Sequence, residues 1–281
     1  ATSNKVNFEY LTQENFDINT NYQYINLPKK SKYIFEPRNS GYISARKLVQ
    51  AQKNIFKSNK GKHINDFVVN ISKSKNIFNL KTNNDSTVFS KQLLICAGAF
   101  TNFTNILKNK LPIEIKGRTT LLGEIKKTHI SELKKYPSLI HKPEAGEDAY
   151  FLPAITYPNG KTYIKIGWSH FNNIDSYKEA ISWFKGEIES NEKNGLETEL
   201  NSIYDKNIFN SVHIDTCAVT WTKNKYPIVD EIEKNLFVSV GGNGHAAKSS
   251  DHIGYISAKY LTNGSWDQNL NRSLFTLESN I

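Results

Sequence analysis

The chain has 281 residues, 38% of them hydrophobic, with a mean hydropathy of −0.53. That length supports one large or two small domains, and no apolar run approaches the roughly 20 residues that span a bilayer, so a soluble, cytoplasmic protein is expected. The formal net charge of +9 is spread over many lysines, densest at residues 57–62 and 126–135. No nucleic-acid motif accompanies that charge, so it reads as a solvated surface and no nucleic-acid partner is expected.

Residues 1–40 are polar, with scattered aromatics and no glycine. From Gly41 to Phe56 the apolar residues fall at helical spacing: Leu48, Val49, Ile55 and Phe56. Ser44 is a suitable N-cap and Lys60-Gly61 a suitable stop. Strands are expected at 64–71, 77–82 and 88–96, with the turn Asn83-Asn84-Asp85-Ser86 between the last two. The third strand runs into Ala97-Gly98-Ala99-Phe100, a tight change of direction.

Long strands are expected at 113–126 and 150–167, the second broken by a hairpin turn at Asn159-Gly160. A helix is expected at 177–192 and another at 251–261, the latter closed by Asn263-Gly264. Near the end, Leu236-Phe-Val-Ser-Val240 enters the glycine-rich turn Gly241-Gly242-Asn243-Gly244, followed by His245, Ala246, Ala247 and Lys248. Glycines there let backbone approach a flat or anionic ligand, and a buried lysine beside such a turn can hold negative charge on it.

Two cysteines, Cys96 and Cys217, are too few for a disulfide framework. Cys96 falls in the expected strand 88–96 and reads as a small core residue; the ordinary fate of Cys217 is a buried, inert thiol. The seven histidines form no i, i+4 pair and have no cysteine partner, so no metal site is expected. There is no Gly-x-Ser-x-Gly elbow of a serine hydrolase.

Three stretches together resemble the D-amino acid oxidase superfamily of FAD-dependent amine oxidases, nearest to the monomeric sarcosine oxidase type. They are Gly41-Tyr42-Ile43 entering a helix, with Val68-Val69 in the following strand; Ala97-Gly98-Ala99-Phe100 ending a strand; and Cys217-Ala-Val-Thr220 followed by Gly241-x-x-Gly244-His245-x-x-Lys248. The fold class this implies is α/β. An FAD-binding, Rossmann-like domain in discontinuous segments (41–100 and 213–281) carries an inserted antiparallel-sheet substrate domain (101–212, joined by 1–40). The family's Gly-x-Gly-x-x-Gly fingerprint precedes its Gly-Tyr-Ile segment and occurs nowhere here. The chain resembles the C-terminal two-thirds of such a protein. The fingerprint half is expected on another segment or on a second chain.

The resemblance also implies a site. Val68, Ala97, Gly98, Ala99, Gly241, Gly242, Gly244, His245, Ala246, Ala247 and Lys248 would surround FAD, and Cys217 would be the point of thioether attachment to it. Lys248 would face the flavin edge that becomes anionic on reduction. Lys165, in Lys165-Ile-Gly167, would promote reaction with O2. Tyr150, in Tyr150-Phe-Leu-Pro153, would border the substrate. His170 stands one position late for the family histidine, which in a strand reverses its face, and Val219 replaces an expected tyrosine. Both departures point away from sarcosine itself. The expected activity is oxidation of the C–N bond of a secondary amine or amino acid, with O2 as acceptor and hydrogen peroxide as product. The alternatives are a dehydrogenase of the same fold and a non-catalytic flavin- or polyanion-binding protein.

Overall fold

The structure is a computed structural model that describes residues 7–12, 14–15, 22–26, 31–38, 40–104, 106–188 and 190–281. In chain order it begins β1 (Glu9–Leu11), β2 (Tyr33–Phe35), α1 (Ala45–Ser58), β3 (Val68–Ser74), β4 (Ile77–Thr82), β5 (Thr87–Ser90) and β6 (Leu93–Ile95). It continues with β7 (Ile113–Ile125), β8 (Leu139–His141), β9 (Ala149–Thr156), β10 (Thr162–Trp168), β11 (Asn172–Asn173), α2 (Tyr177–Phe184) and α3 (Ser190–Ile203). Last come β12 (Phe209–Thr222), β13 (Ile228–Glu233), β14 (Leu236–Val240) and α4 (Ala246–Asn263). The architecture is mixed α/β with antiparallel sheets, as the sequence implies. The chain divides into two compact units, one of Ala1–Tyr42, Arg118–Phe171 and Gly186–Cys217, the other of Ile43–Gly117, Asn172–Lys185 and Ala218–Ile281. The expected assignment of residues 1–40 falls partly outside the described residues.

The first unit is built on an antiparallel sheet in which β10 lies between β7 and β9, and β9 between β10 and β8. In β7, Thr119, Leu121, Gly123 and Ile125 are buried on one face, while on the other Arg118, Leu122 and Glu124 are half-buried and Thr120 is buried. Such period-two alternation puts each set on one face of the sheet. On the core face Leu121, Ile125, Phe151, Ile164 and Ile166 meet Leu196, Leu200 and Ile203 of α3. Those three α3 residues fall on one stripe at helical spacing. The hairpin between β9 and β10 turns at Gly160, whose φ is 78°, as its Asn-Gly signal implies.

In the second unit β6 pairs parallel with β14, and β14 antiparallel with β13. β3, β4 and β5 form a separate antiparallel sheet. Phe78 and Leu80 of β4 pack with Ile95, Ile228, Leu236, Val238 and Val240 of the other sheet. Ile256 of α4 packs with Val229 and Phe275 in a second cluster. Ser44 caps α1 by accepting from the Lys47 amide, and Gly264, with φ 69°, ends α4.

Several boundaries differ from the sequence reading. The helix expected at 177–192 is two helices, because Gly186 adopts φ 78° between them. The strand expected at 88–96 is β5 and β6 in different sheets, and it stops at Ile95. Cys96 therefore lies past the strand and is exposed, not a core residue. α4 begins at Ala246 and not at residue 251, since its first turn, Ala-Ala-Lys-Ser, carries no apolar period to signal it. Among the described residues no helix is long and apolar enough to cross a membrane.

Candidate active site

In the second unit, parallel pairing of β6 and β14 brings their carboxyl ends to the same edge of the sheet. Ala97-Gly98-Ala99 follows β6 there, and the turn from Gly241 to Gly244 follows β14. Ligands of open α/β sheets bind outside that edge. Gly98 has φ 53°, Gly241 87° and Gly244 72°, conformations in which glycine is at ease. A β-carbon on Gly241 would also come within 2.4 Å of Thr222 Cγ2. The first-named requirement is conformational, the second steric, and both exclude a side chain at that position.

Asn243 holds this turn, a role the sequence reading did not assign. It is buried. Its Oδ1 accepts from the Thr222 amide at 2.9 Å and the Thr222 hydroxyl at 3.2 Å, and its Nδ2 donates to the Gly241 carbonyl at 2.7 Å. The Asn243 amide donates to the Thr220 carbonyl at 2.8 Å, and the Gly242 amide to the Thr220 hydroxyl at 3.2 Å. The only sign of it in the sequence is an amide residue inside a glycine run, at a φ of 49° that asparagine tolerates.

The turn opens directly into α4, whose N-cap position, His245, makes no side-chain capping bond. His245, Ala246, Ala247 and Lys248 are all exposed, so Lys248 is not the buried lysine expected beside the turn. It stands in the first helical turn, where the helix dipole favours an anion, and its own amide donates to the His245 carbonyl at 2.9 Å. Val68 lies in β3 opposite Thr82 and packs against the core cluster of this unit.

In the first unit the sheet face away from the core carries a second group of residues. Lys165 sits opposite Leu122 of β7 and Leu152 of β9, and Gly167 opposite Thr120 and Tyr150. Directly paired residues share a face, so Lys165, Gly167, Tyr150, Thr120 and Leu122 are together. Lys165 is half-buried, which differs from the solvent-facing lysine that alternation alone suggests. Asp215 of β12 accepts the Thr120 hydroxyl at its carbonyl, 3.1 Å away. Cys217, two residues on, interacts electrostatically with Lys165, Asp215 and Arg118.

Cys217 is exposed, contrary to the buried thiol that is the commoner fate of a lone cysteine. Its neighbours nevertheless withdraw enough water to raise the thiol above the ordinary cysteine range. Lys165 and Arg118 oppose that rise, and Asp215 adds to it. The same crowding pushes the Tyr150 phenol up to about 12, with a further push from Cys217 and a small opposing pull from Arg118. Arg118 itself is missed by the sequence reading. Its position in the alternation, two residues before Thr120 and four before Leu122, is the signal that could have found it.

The sequence of this chain matches the family model described as FAD dependent oxidoreductase over residues 22–260. No curated protein sequence matches it. Among solved structures it is similar to NikD, an unusual amino acid oxidase essential for nikkomycin biosynthesis, at 12% identity and a TM-score of 0.74, covering 98% of this chain and 70% of that one. It is similar to the deglycating enzyme fructosamine oxidase (Amadoriase II) from Aspergillus fumigatus, at 16% identity and a TM-score of 0.76, covering 98% and 67%. It is also similar to Amadoriase I, a fructosyl amine:oxygen oxidoreductase from the same organism, at 14% identity and a TM-score of 0.75, covering 98% and 64%. These likenesses establish the fold, and this chain spans roughly two-thirds of each neighbour.

Proposed function

The chain belongs to the FAD-dependent oxidoreductase family, and from that premise we propose that it oxidises the C–N bond of a secondary amine or amino acid with O2 as acceptor. The amine loses two electrons and two protons to become an imine, and O2 takes them up as hydrogen peroxide. The observation that carries this reading is the half-buried Lys165 on one sheet face with Tyr150, in electrostatic interaction with Cys217.

The glycine turns fit one end of FAD. Gly244 leaves exposed backbone without a side chain, and the N-terminus of α4 follows it, with Lys248 in its first turn. No Gly-x-Gly-x-x-Gly turn for the pyrophosphate occurs in the sequence, so in this proposal another segment or a second chain supplies it. Bound FAD supplies the two-electron acceptor. Gly98 and the turn from Gly241 to Gly244 give it room, and Lys248 holds the negative charge that develops beside them. Tyr150, with its proton held tightly, borders the amine as a hydrogen-bond donor. Lys165 favours electron transfer to O2 through its charge. Cys217 is the proposed point of covalent attachment.

The test is the absorption spectrum of the purified protein supplied with FAD, followed by a peroxide assay on N-methyl and N-glycated amino acids in air. The two visible bands of oxidised flavin, bleached by an amine and restored by air with peroxide release, are expected. Bleaching without reoxidation in air would show a dehydrogenase. Absence of the bands would exclude a flavoprotein.

A further inference from the structure

β7 and β10 keep an antiparallel register down to Gly167 opposite Thr120. The next pairing of β7 is Gly117 with Asn172 of β11. β7 thus advances from Thr120 to Gly117 while the facing chain advances from Gly167 to Asn172. The facing chain carries surplus residues, and the stretch 168–171 leaves the ladder with β7, although Trp168 still pairs with Ala149 of β9. Carbonyls that leave a ladder need other donors.

Arg118 supplies them. Its Nη1 donates to the Trp168 carbonyl at 3.2 Å and the His170 carbonyl at 2.9 Å, and to the Ser169 carbonyl between them. Its guanidinium carbon lies 5.4 Å from the centre of the Phe171 ring. All three contacts come from one terminal nitrogen, whose two hydrogens the carbonyls share; lysine has a shorter reach and no planar group to set beside the Phe171 ring. Other ties to this stretch are the Ser169 amide, which donates to the Asp148 carbonyl at 2.8 Å, the Ser169 hydroxyl, which donates to Glu147, and His170 Nε2, 3.5 Å from Glu192 Oε1. Arg118 grips the backbone.

We propose that Arg118 is a positioning residue: by holding the carbonyls of residues 168–170 it fixes the end of β10, and so sets Lys165 and Tyr150 on the face they share, near Cys217. The importance of that face rests on the reading given above, but the arrangement itself is independent of flavin and turnover. A test on the Cys217 thiol therefore separates failure of this inference from failure of the oxidase reading.

The experiment is the pH dependence of Cys217 alkylation by iodoacetamide in a Cys96→Ser background. Lys165 favours the thiolate, so Lys165→Met should move the reaction to higher pH by about half a unit. That shift measures how firmly Lys165 is held near Cys217. Placed on top of Arg118→Gln, the same Lys165→Met change should have less than about a third of its former effect. Arg118→Lys keeps the charge but loses the reach to the three carbonyls and the planar group beside Phe171, and should reduce the Lys165 effect as far. A Lys165 effect that survives either Arg118 change at full size overturns the proposal, as does its absence in the parent. Should Arg118→Gln fail to fold, as judged by circular dichroism, Arg118→Lys alone decides.

Discussion

The ring of Tyr150 lies against Gly167: a β-carbon on that glycine would come within 2.6 Å of the ring and of its hydroxyl. The two are cross-strand partners on β9 and β10. The glycine two positions after Lys165 is therefore the space into which Tyr150 packs. This gives the Lys165-Ile-Gly167 stretch a physical reason. Lysine and glycine share a face, and only a residue without a side chain leaves room there for an aromatic neighbour.

Gly167→Ala should turn Tyr150 outward at little cost in stability. The obstructed atoms are the far end of a side chain already 38% exposed, so the cost should stay below about 1 kcal/mol. The phenol reports the movement. Burial holds it at about 12 in the parent; released into water it should titrate near the ordinary tyrosine value of about 10. The folded value is the raised one, so the associated stability is complete below the unfolded value and is lost as pH climbs from about 10 to about 12. Ultraviolet difference titration of variant against parent measures this. An unchanged titration would show that Tyr150 does not depend on Gly167 for its place.

The turn after β14 makes a separate prediction. Gly241→Ala places a side chain at φ 87° and drives its β-carbon to 2.4 Å from Thr222 Cγ2, a methyl that cannot swing away because the Thr222 hydroxyl is bonded to the Tyr226 carbonyl. Asn243→Ala strands the Thr222 amide and the Gly241 carbonyl. Each change should cost about 1–3 kcal/mol in urea denaturation, from strain in the first and unsatisfied buried polar groups in the second. Loss of less than a few tenths of a kcal/mol in both would show that the turn is not a rigid platform.

How far the sequence reaches is clear from these two places. The glycines and the hairpin at Gly160 are legible because glycine is the residue that takes positive φ without steric cost. The long strands β7, β9 and β10 are legible because period two persists over many residues. Asn243 is not, because an asparagine in a loop looks the same whether its amide is free or bonded three ways. Arg118 is not either, since its role follows from a register surplus between two strands distant in sequence. The break between β5 and β6 is hidden by an apolar run, Leu93-Leu94-Ile95, that continues the pattern of Val88 and Phe89 while changing sheets.

Lys165 and Lys248 should separate kinetically if the proposed function holds. Lys165→Met removes a cation from the face shared with Tyr150, near Cys217, and should slow reoxidation by O2 by about a hundredfold with little change in reduction by the amine. Lys248→Ala removes a cation from the first turn of α4, and should slow reduction and weaken binding of an anionic substrate. Stopped-flow measurement of the two half-reactions distinguishes them. Reoxidation of the Lys165→Met variant at the parent rate would remove Lys165 from the oxygen reaction.

Cys217 makes the last prediction. A thioether to the flavin 8α-carbon would need the thiolate as nucleophile, loss of an 8-methyl proton and passage of two electrons to O2, and the thiol here is raised by desolvation against the pull of Lys165 and Arg118. Attachment should therefore be slow at neutral pH, quicken as pH rises, and slow further in Lys165→Met, where one of the two opposing cations is gone. The folded thiol value is the raised one, so its contribution to stability is complete below the unfolded cysteine value and is lost as pH rises through the folded value. Protein incubated with FAD at a series of pH values and then precipitated in acid gives the measurement. Yellow colour should stay with the pellet in proportion to pH and vanish in Cys217→Ser. Colour left wholly in the supernatant at every pH would show that any flavin is held without a covalent bond, and that the cation pair acts on the thiol without activating it.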